Sequence, residues 1–300
     1  MKIFSCDFEI TQRCNLNCTY CVYRGNLNKK ELAIKDITSI LNQLKEYGCE
    51  EIRFTGGEPF LREDFLEILR ICKKLGISTR VITNGTLLSK RLVRKLANLI
   101  SGIGISLDSH REKINEKTRK GSFKRAMNVI NWCRSLSIPV SVYITLTSFN
   151  ESSIFESLRY FYSLGVNFHI TTVIPRGRAL SAKEVLLSRT SRYYIKLFKT
   201  FLKDLLNERI KLKNNCEATF LEPFISSDGK IYCCVEIYHI LPRFHILDIF
   251  SSQKILDWEK KISRVREKLK CCYTVLFSRG CSVCVRTLDT CSLYEVIKYV

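Results

Sequence analysis

The chain has 300 residues, 46% of them apolar, enough for one large α/β domain with a buried core or for such a domain with a small appendage. It contains no run of about 18 apolar residues, and the start MKIFSCDFEI has neither a long apolar stretch nor a small-residue cleavage site, so we expect a cytoplasmic protein with no membrane partner. The net charge of +20, from 49 Lys and Arg against 29 Asp and Glu, leaves nucleic acid open as a partner, although basic residues spread along amphipathic helices make a solvated basic surface an equal explanation.

Short β-branched runs alternate with helical periodicity between residues 3 and 174. The predicted strands are 3–10, 50–55, 77–83, 102–108, 139–146 and 166–174. The predicted helices between them are 30–47, 63–75, 88–100, 121–136 and 151–164. Right-handed crossovers turn this pattern into a parallel sheet, so we predict the α/β class and a partial (β/α)6 TIM-like barrel, with a flat doubly wound sheet as the alternative. We assign this barrel to residues 1–185 and a C-terminal helix with a small Cys-rich domain to residues 186–300.

Polar and glycine-containing segments follow the predicted strands where each strand ends. A cysteine loop follows the first strand, TGGEP (55–59) the second and TNG (83–85) the third, while SLD (106–108) ends the fourth. Because parallel strands end at the same edge of a sheet, these segments should meet in one functional site.

The chain has fifteen cysteines, an odd number that a closed disulfide framework does not predict. In a reducing compartment such thiols serve as metal or cluster ligands, as redox groups or as small core residues. Cys6, Cys49, Cys72 and Cys133 lie in apolar segments and are expected in the core. The others gather at 14–21 and 216–291.

Cys14, Cys18 and Cys21 form a CxxxCxxC pattern in the loop after the first strand. Three thiols are too few for a structural zinc site, which takes four ligands. They can each bind one iron of a four-iron cluster and leave the fourth iron open to a small molecule. A zinc site completed from elsewhere and a redox thiol group remain alternatives.

The segment CNLNCTYC, with Tyr20 before the third cysteine, resembles the motif of the radical S-adenosylmethionine superfamily, and TGGEP resembles its Gly-Gly-Glu motif. The resemblance covers about residues 3–178. It implies that a 4Fe–4S cluster at Cys14, Cys18 and Cys21 binds S-adenosylmethionine through the open iron. One electron, from a flavodoxin or ferredoxin type of donor, then cleaves the cosubstrate to methionine and a 5'-deoxyadenosyl radical.

The same resemblance implies which residues contact S-adenosylmethionine. Gly56 and Gly57 would let backbone approach its amino acid part without a Cβ clash, and Glu58 would accept from its ammonium group. The full set of expected contacts is Tyr20, Gly56, Gly57, Glu58, Pro59, Asn84, Ser106 and Asp108. Ser106 and Asp108 alternate on the predicted strand and should face one side, and Arg178 in VIPRGRA is a candidate partner for a carboxylate.

The C-terminal cysteines form a second set around a DG turn and a CSVC segment. They resemble the SPASM or twitch extension of these enzymes, which implies one auxiliary 4Fe–4S cluster. Expected ligands are Cys216, Cys234, Cys281, Cys284 and Cys291, although which of Cys233, Cys234, Cys271, Cys272 and Cys291 contribute stays open. An all-thiolate zinc ribbon is the rival interpretation. His169, His239 and His245 are expected as core or surface residues.

Taken with the resemblance, the sequence indicates a radical enzyme whose auxiliary cluster accepts the electron left after hydrogen abstraction. Its substrate would be a peptide in a maturation reaction or a small molecule in a dehydrogenation. Because Cys14 lies near the start of the chain, a peptide substrate would need a separate binding partner, and the end IKYV lacks the Gly-Gly tail of molybdenum-cofactor cyclases. Tetrapyrrole or cofactor modification, RNA modification and a non-catalytic, zinc-bearing nucleic-acid-binding protein are the alternatives.

Overall fold

The computed structural model describes residues 5–23, 31–174, 176–187, 224–232 and 247–248. In these ranges the strands are β1 (Ser5–Thr11), β2 (Glu51–Gly56), β3 (Ser78–Thr83), β4 (Gly102–Ser106), β5 (Val140–Leu146), β6 (Asn167–Thr172), β7 (Phe224–Ile225), β8 (Lys230–Tyr232) and β9 (Leu247–Asp248). The α-helices are α1 (Ile34–Glu46), α2 (Phe65–Lys74), α3 (Lys90–Leu96), α4 (Glu112–Asn115), α5 (Phe123–Ser135) and α6 (Ile154–Ser163).

The described strands form one sheet in the order β6-β5-β4-β3-β2-β1-β7-β8-β9. Strands β1 to β7 run parallel to one another, whereas β8 pairs antiparallel with both β7 and β9. The six βα repeats therefore follow one another across the sheet, as predicted, and the carboxyl ends of their strands share one edge.

The helices form where apolar residues recur at helical spacing. The buried residues of α1 are Ile37, Ile40, Leu41 and Leu44, and those of α2 are Phe65, Ile68, Leu69 and Cys72. Each set follows the i, i+3, i+4, i+7 pattern of one helix face, and α5 repeats it. These faces pack on the outer face of the sheet.

The core lies between the helices and the outer face of the sheet. On β1 the outer residues Cys6, Phe8 and Ile10 are buried, and Ile52 and Phe54 of β2 continue the same layer. Cys6, Cys49, Cys72 and Cys133 are all fully buried free thiols, which confirms that they belong to the core. The inner face carries polar residues instead, including the ion pair between Arg53 and Asp7 at 2.6 Å.

Two features of the sheet differ from the prediction. The fourth strand ends at Ser106, so Leu107 and Asp108 belong to the following loop and not to the strand. Strand β7, from the region assigned to the C-terminal domain, pairs in parallel with β1 and continues the same sheet. In the part of the chain that the structure describes, no helix is long and apolar enough to cross a membrane.

Candidate functional site

The cysteine loop after β1 is fastened to the loops that follow β3 and β4. Asn15 accepts a hydrogen bond from Asn84 Nδ2 at 2.9 Å and donates to Thr86 Oγ1 at 2.8 Å. On its other side the Thr19 N–H donates to the Thr118 carbonyl at 3.1 Å. Three strand ends that are distant in sequence therefore meet at one edge of the sheet.

Cys14 and Cys18 each receive a donor from the protein. The Leu16 N–H points to Cys14 Sγ at 3.4 Å, with Asn84 Nδ2 at 3.9 Å, and Arg119 Nη1 points to Cys18 Sγ at 3.7 Å. Burial raises the pKa of Cys14, and it raises the pKa of Cys18 to about 11 although the Arg119 charge lowers it. The negative charge of the Cys21 thiolate also raises the pKa values of Cys14 and Cys18, so the three sulfur atoms lie close enough to interact.

Gly56 and Gly57 cross the start of the cysteine loop at very close range. A Cβ at Gly56, where φ is +146°, would lie 2.1 Å from the Thr11 carbonyl oxygen, and one at Gly57 would lie 2.2 Å from that of Arg13. The Gly57 and Glu58 N–H groups donate to these two carbonyls, both at 2.8 Å. The two glycines thus allow the end of β2 to hold the cysteine loop. The sequence did not indicate this structural role for them. Their contact with S-adenosylmethionine remains a prediction.

Glu58 is fully buried and its carboxylate is occupied by the protein. It accepts from the Thr83 hydroxyl at 2.7 Å, from the Asn84 N–H at 2.8 Å and from the Phe60 N–H at 3.2 Å. Burial raises its pKa while these hydrogen bonds lower it. Glu58 therefore joins the ends of β2 and β3, and the neighbouring Pro59 begins the short helical turn Pro59–Leu61.

Asn84 and Ser106 lie at the same edge as the thiols. The Asn84 amide oxygen accepts from the N–H and the hydroxyl of Thr86, at 2.8 and 2.6 Å, so the whole amide is used to hold the loops together. Ser106 is half-buried at the end of β4. It pairs in register with Tyr143 of β5, which in turn pairs with His169 of β6.

Asp108 is a buried junction beneath the cysteine loop. Its carboxylate accepts from the Tyr20 hydroxyl at 2.6 Å, the Thr118 hydroxyl at 2.7 Å, Arg119 Nε at 3.1 Å and the Thr145 N–H at 3.0 Å. Only 1% of its side chain is exposed. The predicted alternation of Ser106 and Asp108 on one strand is absent, because β4 ends at Ser106. Asp108 instead holds the cysteine loop from below. Its contact with S-adenosylmethionine remains a prediction.

Arg119 is the main functional candidate that the sequence did not indicate. It donates to Asp108 and Cys18 and lies over the Tyr20 ring, 5.2 Å from the ring centroid. Arg119 is one of 49 basic residues and lies in a loop eleven positions after Asp108. No sequence pattern distinguishes it from the others. The fold alone brings it to the thiols.

The segment after β6 covers the cysteine loop from the other side. A Cβ at Gly177, where φ is +57°, would lie 2.3 Å from the Val22 carbonyl oxygen, and the Arg178 N–H donates to the Cys21 carbonyl at 2.9 Å. The Arg178 side chain donates to Asn17 Oδ1 at 2.7 Å. Cys18 and Tyr20 pack with Val173, Ala179 and Val185 in a small apolar cluster of their own.

The predicted second cysteine set lies outside the described residues. This applies to Cys216, Cys233, Cys234, Cys271, Cys272, Cys281, Cys284 and Cys291, and to His239 and His245. His169 is exposed and stacks on Tyr143 with ring centroids 4.5 Å apart.

The cysteine loop has the chemistry that an iron–sulfur cluster requires. Three thiols with protein donors aimed at two of them suit cluster ligation and the tuning of a cluster. Within the described ranges no three His, Cys, Asp or Glu side chains converge on a single metal ion. The Thr19 hydroxyl is buried in the loop with no hydrogen-bond partner in the described part of the chain, so it can donate to a group held there.

Several curated relatives and solved structures are similar to this chain. The chain is 27% identical over 233 residues to the Fe-coproporphyrin III synthase of Methanosarcina barkeri, which covers 71% of this chain and 56% of the relative. It is 29% identical over 293 residues to the GTP 3',8-cyclase of Aquifex aeolicus, covering 87% and 92%. The structure of Streptococcus suis SuiB bound to S-adenosylmethionine matches with a TM-score of 0.76 at 17% identity, over 94% of this chain and 73% of that one. SuiB has also been solved with its precursor peptide SuiA.

The chain spans little more than half the length of several of its curated relatives. The likeness to SuiB establishes the fold and confirms the predicted partial (β/α)6 TIM-like barrel. The Radical SAM superfamily model matches residues 8–174, more than half of the chain. The chain therefore belongs to the radical SAM superfamily, whose enzymes use a 4Fe–4S cluster and S-adenosylmethionine.

Proposed function

We propose that Cys14, Cys18 and Cys21 ligate three irons of a 4Fe–4S cluster and that S-adenosylmethionine binds between this cluster and the end of β4. The observation that carries the proposal is the meeting of three thiols with the loops after β2, β3 and β4 at one sheet edge. When bound, the cluster supplies the electron that cleaves S-adenosylmethionine to methionine and a 5'-deoxyadenosyl radical.

The residues around the thiols divide between positioning the cluster and contacting the cosubstrate. Glu58 and Asn84 use their polar groups to hold the loops, so we propose that they act on the cosubstrate mainly by fixing the backbone around it. Ser106 is half-buried, and we propose that its hydroxyl donates a hydrogen bond to the cosubstrate or accepts one from it. Arg119 contacts Cys18 and Asp108, so we place it among the residues that position the cluster.

We propose that the substrate lies inside the barrel, against β5 and β6. Tyr143 and His169 are in register with Ser106 and form a stacked pair on the inner face. Gly104 gives the Tyr143 ring its space, because a Cβ there would lie 2.5 Å from Tyr143 Cε2. Arg80, 45% exposed and paired with Glu51 through Nε at 3.0 Å, brings positive charge to the same face. This surface suits a substrate with a planar or anionic group.

The reaction class that we propose is a net oxidation, either the maturation of a peptide side chain or the dehydrogenation of a small molecule. An auxiliary 4Fe–4S cluster at the C-terminal cysteines would accept the electron left after hydrogen abstraction. Modification of a tetrapyrrole is the second candidate, favoured by the similarity to the Fe-coproporphyrin III synthase. A one-electron donor of the flavodoxin or ferredoxin type completes the system in either case.

The proposal is tested by anaerobic reconstitution of the wild type and of a variant with Cys14, Cys18 and Cys21 changed to Ala. We expect about eight irons per chain to fall to about four and reductive formation of 5'-deoxyadenosine to stop. About four irons falling to none, with one zinc retained, would replace the auxiliary cluster by a zinc site. The control is Cys133→Ala, a buried core thiol whose loss should leave the iron content unchanged. Persistent 5'-deoxyadenosine in the triple variant would refute the ligand assignment.

A further inference from the structure

Arg119 places a buried cation in contact with one of the proposed cluster ligands. Its side chain is only 12% exposed, and Nη1 donates to Cys18 Sγ at 3.7 Å. The guanidinium cannot drift away, because Nε is bound to Asp108 at 3.1 Å and its plane lies over the Tyr20 ring. The contact is thus a built feature of the site and not an exposed side chain in one of many positions.

The Asp108 charge beside Arg119 does not cancel the effect at the sulfur. The Asp108 carboxylate also accepts from Tyr20, Thr118 and the Thr145 N–H, so four donors share its negative charge. Arg119 lies between this carboxylate and Cys18, which makes the positive group the one that touches the sulfur. A dipole oriented in this way leaves a net positive potential at the thiolate.

We propose that Arg119 is a positioning residue that tunes the cluster: by donating to the Cys18 thiolate it makes the cluster easier to reduce. A reduced cluster carries one more negative charge, and hydrogen bonds to its sulfurs and nearby cations stabilise that state. Asp108 opposes the effect while it holds Arg119 in place. The inference rests on the proposed function, since it requires the cluster at Cys14, Cys18 and Cys21.

The experiment is a redox titration of the reconstituted full chain, followed by the EPR signal that changes when S-adenosylmethionine is added. We expect Arg119→Met to lower the ratio of reduced to oxidised cluster about tenfold at the wild-type midpoint, a shift of about 59 mV for a one-electron couple. Arg119→Lys should shift it less, because the charge remains without the planar fork. Asp108→Asn should shift the midpoint in the opposite direction. The control Arg111→Met removes an exposed arginine from the same loop region and should leave the midpoint unchanged.

Opposite shifts for Arg119→Met and Asp108→Asn are the signature of charge at the sulfur, which a structural role would not produce. If Arg119→Met fails to hold iron, Arg119→Lys and Asp108→Asn decide by the same measurement. An unchanged midpoint at full iron content would overturn the inference, and so would shifts of the same sign or iron loss in all three variants. Failure of the proposed function has a different appearance: iron that does not depend on the three cysteines, or no 5'-deoxyadenosine from the wild type.

Discussion

Gly57 shows how one residue can be required by the protein chain itself. Its missing side chain lets the loop after β2 come within hydrogen-bond distance of the Arg13 carbonyl, at the beginning of the cysteine loop. The obstacle to a side chain is backbone, which cannot rotate away. The position of the thiols therefore depends on Gly57 before any ligand is bound.

Gly57→Ala should displace the cysteine loop and reduce the iron content. The added methyl would lie 2.2 Å from a backbone oxygen, so we expect a cost above the roughly 1–3 kcal/mol of ordinary overpacking. Iron per chain after reconstitution and the urea midpoint measure the two effects. Gly121→Ala is the matched control, because φ is +80° there but nothing lies within 4 Å, and it should keep its iron. Equal iron in both variants would contradict this account of Gly57.

At the scale of residues, sequence patterns indicated that the candidate site residues lie at the carboxyl edge of the sheet. They did not indicate which of these residues contact one another. The spacing of Cys14, Cys18 and Cys21 is local and therefore readable. The contacts of Asp108 are not, because they depend on where β4 ends and on a loop eleven residues later. Arg119 could not be found at all, since its role arises only when that loop folds under the cysteines.

At the scale of elements, the alternation of strands and helices was predictable because each helix buries one regular face. The predicted boundaries of β2, β3 and β5 agree with the structure to within one residue. Strand β7 was not predicted as part of this sheet, because two residues carry no periodicity and their pairing with β1 spans more than 200 positions. Contacts that connect one element to another are equally hard to predict, because their partners lie far apart in the sequence.

Arg62 is such a join, linking β1, α2 and the segment before α1. Its guanidinium is 5% exposed, is bound to Asp64 at 2.7 Å and donates to the carbonyls of Ile10 and Leu32 at 3.2 and 3.1 Å. Arg62→Met removes the donor to two buried carbonyls and to Asp64, whose side chain is 31% exposed, so we expect a loss of about 1–3 kcal/mol in the free energy of unfolding. Urea titration measures it. Arg80→Met, which breaks an ion pair 45% exposed at the arginine, should cost at most about 1 kcal/mol. Similar costs for both would show that burial of Arg62 is not what matters.

At the scale of the whole molecule, Glu9 joins the first strand to the last part of the described sheet. It is fully buried on the inner face and accepts from Gln12 at 2.8 Å, from Tyr23 and from the Ser227 hydroxyl at 2.9 Å. Tyr23 follows the cysteine loop, and Ser227 lies in the turn between β7 and β8. One carboxylate therefore connects the proposed cluster site with the strands that continue towards the C-terminal cysteines.

The protonation of Glu9 should make stability depend on pH. Burial raises its pKa above the ordinary value, although its hydrogen bonds lower it. Between the unfolded and folded pKa values the native chain holds a proton that the unfolded chain has released. The stabilising contribution is therefore complete below about pH 4.5 and is lost as the pH rises through the folded pKa. Glu9→Gln, which is neutral at every pH, should remove this loss, as measured by urea unfolding at a series of pH values.

Glu31 gives the opposite dependence and serves as the control. Burial raises its pKa, but the hydrogen bonds from Arg13 and Thr11, together with the charges of Arg13 and Arg62, outweigh burial and lower the pKa overall. Its contribution is present above the unfolded pKa and disappears as the pH falls through the folded one. Glu31→Gln should therefore reduce stability at neutral pH and weaken the loss of stability as the pH falls. Glu9→Gln should instead weaken the loss of stability as the pH rises. A Glu9→Gln variant that loses stability equally at all pH values would mean that its carboxylate acts only as a hydrogen-bond acceptor, and the link between the two ends of the sheet would not titrate.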